Sequence, residues 1–130
     1  MNQKEAAIQA KCFKWYNNKY CLKHHKPRCL IFAVPNEGQQ RLVKQGVVSG
    51  VSDLIVFHII KPKLSTFNLI HILLCFRILF IEMKDHKGVQ SDAQKMFEQR
   101  VIKFPFCSYH LIRSLNEFQN LFIDTASNIG

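Results

Sequence analysis

Glu82 and Lys84 stand at the end of an apolar segment, 77–83, that predicts a β-strand. Side chains alternate along a strand with a period of two, so Glu82 and Lys84 share one face while Met83 points to the other. Asp53 begins another apolar segment, and in a neighbouring strand its carboxylate would meet Glu82. Two carboxylates, waters and a substrate phosphate form the kind of ligand set that Mg²⁺ accepts. The lysine could then orient a water or stabilise developing charge.

The same residues also have a purely structural interpretation. A Glu-x-Lys pair on a strand is usually a solvated ion pair worth under about 1 kcal/mol. Asp53 follows a passage rich in Gly and Ser, where an Asp commonly bonds its own backbone in a turn. The local spacing leaves both interpretations open, so the elements that position these residues matter.

Three capping boxes predict where helices start, because a polar N-cap and a Glu or Gln three residues later satisfy the first backbone N–H groups. They begin at Asn2, Ser91 and Ser114, and the first helix should extend over about 3–18. The predicted inward side of the second helix consists of Ala93, Met96, Phe97 and Arg100 or Val101. That of the last helix consists of Leu115, Phe118, Leu121 and Phe122.

Short apolar runs bounded by Gly, Pro or polar residues predict β-strands. The four runs are 29–34, 53–57, 77–83 and 106–112. A short helix is expected at 39–45, whereas 61–76 could lengthen a hairpin or form a helix, and its periodicity does not decide between them. The order of helix, three strands, helix, strand and helix predicts one sheet flanked by helices.

Composition restricts the class of protein. The 130 residues are 48% hydrophobic and include eleven Phe, which is enough for a folded core and excludes disorder of the bulk. We therefore expect a single domain over 1–130. The 18 Lys and Arg against 9 Asp and Glu give a formal net charge of +9. Residues 1–30 hold seven of the basic and one of the acidic residues, which favours a polyanionic partner such as nucleic acid or an anionic membrane.

Several features favour a cytoplasmic protein. The longest apolar run, 67–81, is interrupted by His71 and Arg77 and is shorter than the roughly 20 residues that span a bilayer. No apolar signal segment follows Met1. Five cysteines without a C-x-x-C pair suit a reducing compartment.

Two other chemistries have weaker support. Zinc could be held by a cluster whose spacing matches no usual zinc finger and whose adjacent His side chains point apart. Its members are Cys21, His24, His25 and Cys29. Nucleophilic catalysis by Cys75 or Cys107 lacks any local signature.

A series of motifs in a fixed order is more specific than any of these pairs. It consists of Glu5 with Gln9, VPNEG at 34–38, GVVSGVSDL at 46–54, FIEMK at 80–84 and SDAQ at 91–94. Over about 5–122 the chain thereby resembles the VRR-NUC domain, the virus-type replication-repair nuclease branch of the PD-(D/E)xK superfamily. The resemblance implies an α/β (α+β) fold with a restriction-endonuclease-like αβββαβ core, a mixed central sheet flanked by helices.

The resemblance also implies an activity, that of a DNA endonuclease dependent on Mg²⁺ or Mn²⁺. Asp53 and Glu82 would be the metal ligands, with the Met83 backbone carbonyl as a third, and Lys84 would be the catalytic lysine. Accessory catalytic roles would fall to Glu5 and Gln94. Each of these two residues also completes a capping box, so a structural role stands beside the catalytic one.

Family resemblance further implies a bacterial or phage-encoded homodimer acting on branched DNA, such as Holliday junctions or flaps, in replication, recombination or repair. By charge and position, the candidate DNA contacts are Gln39, Gln40, Arg41, Lys44 and Lys87, although each could be a solvated surface residue. Two departures from the family are visible: Ser52 replaces the proline that usually precedes the aspartate, and 61–76 is longer and more apolar.

Two other functions remain alternatives. A non-catalytic DNA-binding module could retain the fold without needing a metal. A peripheral membrane protein is disfavoured, because the basic residues and the apolar run do not share one amphipathic helix.

Overall fold

The computed structural model describes residues 1–21, 29–34, 46, 48–59 and 75–127. In these residues a four-stranded sheet is accompanied by three α-helices. The elements in chain order are α1 (Gln3–Tyr16), β1 (Leu30–Ala33), β2 (Leu54–Ile59), β3 (Phe76–Met83), α2 (Asp92–Val101), β4 (Cys107–Ile112) and α3 (Leu115–Ser127). A π-helical turn, Asn17–Cys21, continues α1.

The sheet is mixed, with the strand order β1-β2-β3-β4. β2 pairs antiparallel with both β1 and β3, and β3 pairs parallel with β4. Leu54 lies opposite Ile81, and Met83 lies opposite Ile112. A parallel neighbour requires a crossover, and α2 supplies it between β3 and β4. The predicted αβββαβ core and mixed sheet flanked by helices are therefore confirmed.

One face of the sheet forms the main core with α1 and α3. Alternate residues of β2 and β3 point to this side, as the period of two requires. The buried cluster consists of Cys12, Tyr16, Ile31, Leu54, Val56, Leu79, Ile81, Met83, Ile112, Phe118 and Phe122. The half-buried Leu115 and Leu121 pack against it, so the predicted inward side of the last helix is confirmed.

The opposite face of β3 and β4 is covered by α2. The Phe97 ring centroid lies 5.6 Å from that of Phe80 and 6.4 Å from that of Tyr109. The prediction that Met96 faces inward is wrong, since its side chain is 67% exposed while Val101 is buried. The capping box sets the phase of the helix, which turns Gln94, and not Met96, toward the sheet.

Some helices and strands begin or end at other residues than predicted, and each difference has a local reason. The α-helical part of α1 ends at Tyr16, where the π-helical turn begins. β2 continues to Ile59, because His58 is buried against the helices. β4 begins at Cys107 because Phe106 has φ +69°, which a strand does not accommodate. The expected helix at 39–45 and most of the segment 61–76 lie outside the described residues.

None of the helices described in the structure is long and apolar enough to cross a membrane.

A histidine is buried between the sheet and α1. His58 is 5% exposed, and its Nδ1 lies 2.8 Å from the Tyr16 hydroxyl and 3.8 Å from Cys29 Sγ. The rings of Tyr20 and Phe122 are also close, at 5.0 and 4.9 Å between centroids. Burial lowers the pKa of His58 to about 4. Burial also raises the pKa of Tyr16, so a protonated phenol meets a neutral imidazole.

This buried imidazole predicts a loss of stability in mild acid. The unfolded chain binds a proton at His58 below the ordinary histidine pKa of 6.5, whereas the folded chain resists it until about pH 4. The free energy of unfolding should therefore decrease as pH falls through this window, by about 3 kcal/mol in all. Urea unfolding across the window measures the decrease.

The matched variants for this measurement are His58→Gln and His86→Gln. Glutamine at 58 retains an acceptor for Tyr16 but does not titrate, so its pH dependence should be shallower than that of the wild type. His86 is exposed, and its replacement should leave the dependence unchanged. Equal slopes for the wild type and His58→Gln would contradict the assignment.

Candidate active site

Asp53 lies at the point where β2 approaches the end of β3. Leu54 pairs with Ile81, and the next step of this antiparallel register places Asp53 opposite Glu82. Asp53 Oδ2 accepts a hydrogen bond from Met83 N at 2.7 Å. The carboxylate is therefore fixed beside the peptide that joins Glu82 to Met83, and the two acidic residues lie at neighbouring positions on adjacent strands.

Glu82 is 3% exposed and is held by two side chains. Gln94 Nε2 donates to Glu82 Oε1 at 2.6 Å, and Lys84 Nζ lies 3.9 Å from the same oxygen. Glu82 and Lys84 thus share one face of the sheet, while Met83 is buried on the other. A carboxylate so far out of water requires charged or hydrogen-bonding partners, and these two supply them.

Gln94 caps α2 and also contacts Glu82. Its Oε1 accepts from Ser91 N at 2.8 Å and its backbone N donates to Ser91 Oγ, which completes the capping box of α2. Its amide nitrogen contacts Glu82 at the same time. The cap therefore orients the amide, and the start of α2 is tied directly to the carboxylate.

The passage before Asp53 is anchored to α2. Gly50 has φ +76°, and a Cβ there would collide with the backbone carbonyl of Ala93. Glycine is thus required for both conformation and space. Ser52 is buried, and its hydroxyl donates to Leu54 O at 3.3 Å. This side-chain hydrogen bond constrains the backbone at the start of β2.

The backbone of Lys84 is held by the last strand. Lys84 N donates to Ile112 O at 3.0 Å, which extends the pairing of β3 with β4. Gly88 packs against the stem of the lysine, where a Cβ would lie 3.1 Å from Lys84 Cδ. The side chain is 15% exposed, so the ammonium group is positioned within the site.

Glu5 is buried near the same end of β3, in a separate network. Its carboxylate accepts from Asn2 N and from Asp85 N, each at 3.3 Å. Asn2 Nδ2 also donates to Asp85 Oδ2 at 2.8 Å. These contacts link the capping box of α1 to the turn after Lys84. The hydrogen bond from Asn2 is the main reason why the pKa of Asp85 is lowered.

Two residues near the site were not predicted from the sequence. Arg113 Nη1 donates to Asp85 O and so braces this turn from the end of β4. Tyr109 lies opposite Phe80 and faces α2. Burial raises the pKa of Tyr109, and the nearby carboxylates of Glu82, Glu98 and Asp53 raise it further. Counting strand residues in steps of two could have placed Tyr109 on this face, whereas no sequence signal marked Arg113.

The donor set suits a hard divalent cation. Asp53 and Glu82 could provide carboxylate oxygens, and Met83, which directly follows Glu82, could add its backbone carbonyl. Mg²⁺ binds through one or two carboxylates while keeping several waters. Within the described residues, no group of three or more His, Cys, Asp or Glu side chains could hold a metal. The described part of the chain thus offers a pair of carboxylates, which fits an ion that retains most of its waters.

The remaining predicted contacts are only partly covered by the structure. Lys87 is exposed in the turn after Lys84 and donates its backbone N–H to Asp85 Oδ1. The other four predicted DNA contacts, Gln39, Gln40, Arg41 and Lys44, lie outside the described residues. His24 and His25 of the zinc alternative do so too.

The dual role of Gln94 can be separated by substitution. Gln94→Glu retains the capping acceptor, since Glu serves in a capping box as well as Gln. It also replaces the amide donor with a carboxylate that faces Glu82. Repulsion between the two facing carboxylates raises the pKa of the pair, so they share a proton at low pH. The variant should therefore lose stability as pH rises, by about 2 kcal/mol between about pH 5 and pH 8.

Ser91→Ala is the matched control, because it removes only the cap. It should cost about 1 kcal/mol at every pH. Urea unfolding in EDTA compares the two variants with the wild type. If Gln94→Glu follows Ser91→Ala across the pH range, the contact with Glu82 has no energetic role.

Comparison with known proteins bears on the fold. A solved structure described as a VRR_NUC domain protein matches with a TM-score of 0.60 and 18% sequence identity, covering 96% of this chain and 92% of its own. No protein-family model matches the chain, and no curated protein matches its sequence. The predicted resemblance is thus confirmed at the level of the fold: the chain has the fold of a VRR-NUC domain.

Proposed function

We propose that this protein is a VRR-NUC-type DNA endonuclease that hydrolyses phosphodiester bonds with Mg²⁺ or Mn²⁺. The observation that carries the proposal is the position of Asp53, whose carboxylate bonds Met83 N at 2.7 Å opposite Glu82. Lys84 Nζ lies 3.9 Å from Glu82 Oε1. Two acids and one lysine therefore lie together at one end of the sheet, and such a group can bind a divalent ion and stabilise the charge that develops on a phosphate.

The metal would be held by Asp53, Glu82 and the Met83 carbonyl. When bound, such an ion polarises a phosphoryl oxygen and lowers the pKa of a bound water. The Met83 N–H fixes Asp53, and the Gln94 amide fixes Glu82, so both carboxylates are oriented before substrate arrives. This preorganisation matters because misplacing a catalytic group by about 1 Å can cost about 100-fold in rate.

Lys84 would act on the reacting phosphate. Its side chain is only 15% exposed, and away from bulk water a positive charge stabilises developing negative charge more strongly. It could also donate a hydrogen bond to the attacking water and so hold it in line. Glu5 is proposed to support the site indirectly, by holding the backbone of Asp85.

The departure at Ser52 is compatible with activity. Proline at this position would restrict the backbone at the start of β2. The buried Ser52 hydroxyl bonds to Leu54 O, and Val34 N donates to Asp53 O at 2.9 Å. Both contacts constrain the segment that presents the Asp53 carboxylate, so the aspartate is fixed without the ring.

The substrate follows from charge and from the resemblance. A net charge of +9 favours DNA, with phosphate contacts proposed for Gln39, Gln40, Arg41, Lys44 and Lys87. Branched DNA and a homodimer remain parts of the proposal. The edge strand β1 supports self-association, since Leu30 and Phe32 are 50% and 36% exposed on it.

Cleavage of labelled linear, flap and four-way DNA tests the activity. We expect cleavage by the wild type in Mg²⁺ or Mn²⁺ and none in EDTA. Lys84→Ala should reduce the rate by about 100-fold or more, because it removes the charge that faces the phosphate. Lys84→Ala also removes a partner of the buried Glu82 carboxylate, so its melting temperature should fall. Circular dichroism at the assay temperature shows whether the variant is still folded and so separates lost chemistry from lost folding.

Lys14→Ala is the matched control, since Lys14 is an exposed lysine in the last turn of α1, about 14 Å along the helix from Glu5. It should cut DNA at the wild-type rate. Cleavage that persists in EDTA, or in Lys84→Ala at the control rate, would refute the proposed site. Metal-independent binding without cleavage would instead identify a non-catalytic DNA-binding module.

A further inference from the structure

The solvent-facing side of α2 and the turn that follows it carry an unusual combination of exposed groups. Three basic side chains, Lys95, Arg100 and Lys103, are exposed, and none forms a salt bridge with a described residue. In the same turn Phe104 is 65% exposed and Phe106 38% exposed. Exposed cations and exposed aromatic rings therefore occur together on α2 and the turn after it.

The turn holds its aromatic residues firmly outward. Phe104 N donates to Val101 O at 3.0 Å, and Cys107 N donates to Phe104 O at 3.3 Å. Phe106 has φ +69°, a conformation that bulky side chains rarely adopt, and its carbonyl accepts from Ile78 N at 2.7 Å. Observed backbone strain of this kind is a reason to look for a function.

The α2 helix connects this turn to the candidate active site. Near its start, Gln94 contacts Glu82, and its end leads to Phe104. Ile78, which bonds the Phe106 carbonyl, is four residues before Glu82 on β3, or about 13 Å along the strand. Phe104 precedes Cys107, which pairs with Ile78, so it lies at the other end of β3 from Glu82. A bound strand must therefore extend over at least about four nucleotides of roughly 3.4 Å each to join the two.

We propose that this surface, formed by Lys95, Arg100, Lys103 and Phe104, binds single-stranded DNA next to the nuclease site. The inference rests on the proposed function and narrows its substrate to DNA that has an unpaired strand beside the cut. The cations would contact phosphates, and the Phe104 ring would stack on a base. Every base has a flat face, so such stacking needs no particular sequence.

Single-stranded DNA fits this surface better than other partners do. Paired bases are stacked on each other, so a duplex offers its phosphates to the cations but no free face to the ring. An anionic membrane would also attract aromatic and basic side chains. However, the surface continues from the helix that holds the Glu82 carboxylate, which places a bound strand within reach of the site.

Fluorescence anisotropy tests the proposal, with a labelled oligothymidylate and a duplex of equal length. EDTA in the buffer prevents cleavage. Phe104→Ala should weaken binding of the single strand by about tenfold, the loss typical of one stacked base, and leave duplex binding unchanged. Phe104→Trp should retain the wild-type affinity because it preserves the ring. Lys103→Ala should make the slope of log affinity against log salt concentration shallower for both DNAs, by the amount that about one phosphate contact contributes.

Ile123→Ala is the control, since this side chain is 58% exposed on α3 and lies outside the proposed surface. Equal affinity of Phe104→Ala and Ile123→Ala for the single strand would overturn the proposal, as would failure of the wild type to bind it. In another outcome, Phe104→Ala leaves DNA binding measured by anisotropy unchanged. The same variant abolishes binding of the protein to phosphatidylglycerol vesicles or dissociates a dimer. The surface would then belong to a membrane or to a second copy, and the proposal would be wrong.

The two proposals fail separately. Phe104-dependent binding without metal-dependent cleavage would support the single-strand surface and reject the nuclease. Lys84-dependent cleavage with normal single-strand binding by Phe104→Ala would support the nuclease and reject the surface.

Discussion

The antiparallel pairing of β2 with β3 is the constraint on which the site depends. Its register sets Leu54 against Ile81, and so brings Asp53 to the peptide after Glu82. If one of the two strands shifted by one residue, each of its side chains would turn to the other face of the sheet. A shift of β2 would move the fully buried Leu54 out of the core, and a shift of β3 would do the same to Ile81. The hydrophobic core thus fixes the register, and the register fixes the separation of the two carboxylates.

The sheet separates two environments with different physical requirements. On the side of α1 and α3, apolar packing encloses a neutral imidazole at His58. On the side of α2, Glu82 is equally inaccessible but keeps charged and amide partners in Lys84 and Gln94. Burying a carboxylate costs several kcal/mol unless such partners compensate. A site of this kind trades stability for a fixed, concentrated charge, as functional sites commonly do.

Much of the fold could be predicted because local signals were strong. The capping boxes at Asn2 and Ser91 gave the helix starts, and the period of two gave the common face of Glu82 and Lys84. The inward side of α2 was harder to predict from the sequence, since Met96 is apolar but 67% exposed. Hydrophobicity suggested that it packs inward, whereas the position of the cap decided the phase of the helix.

Contacts between distant residues could not be read from the sequence. The bond from Arg113 to Asp85 O depends on the parallel pairing of β4 with β3. The collision that makes Gly50 necessary depends on how α2 approaches the loop before Asp53. Both follow from tertiary geometry, for which neither composition nor periodicity carries a signal. The strand pattern suggested that Asp53 and Glu82 could form a metal site but left a structural interpretation open, and the family resemblance favoured the metal site.

Calorimetric titration with Mn²⁺ and with Mg²⁺ most directly tests whether the two carboxylates form a metal site. Asp53→Asn retains an oxygen that can accept from Met83 N, so it removes charge while keeping the hydrogen bond. We expect the wild type and the exposed-acid control Asp92→Asn to bind a divalent ion, and Asp53→Asn to bind it at least about tenfold more weakly. Equal affinity for Asp53→Asn and Asp92→Asn, or no binding by the wild type, would contradict the assignment of Asp53 and Glu82 as metal ligands.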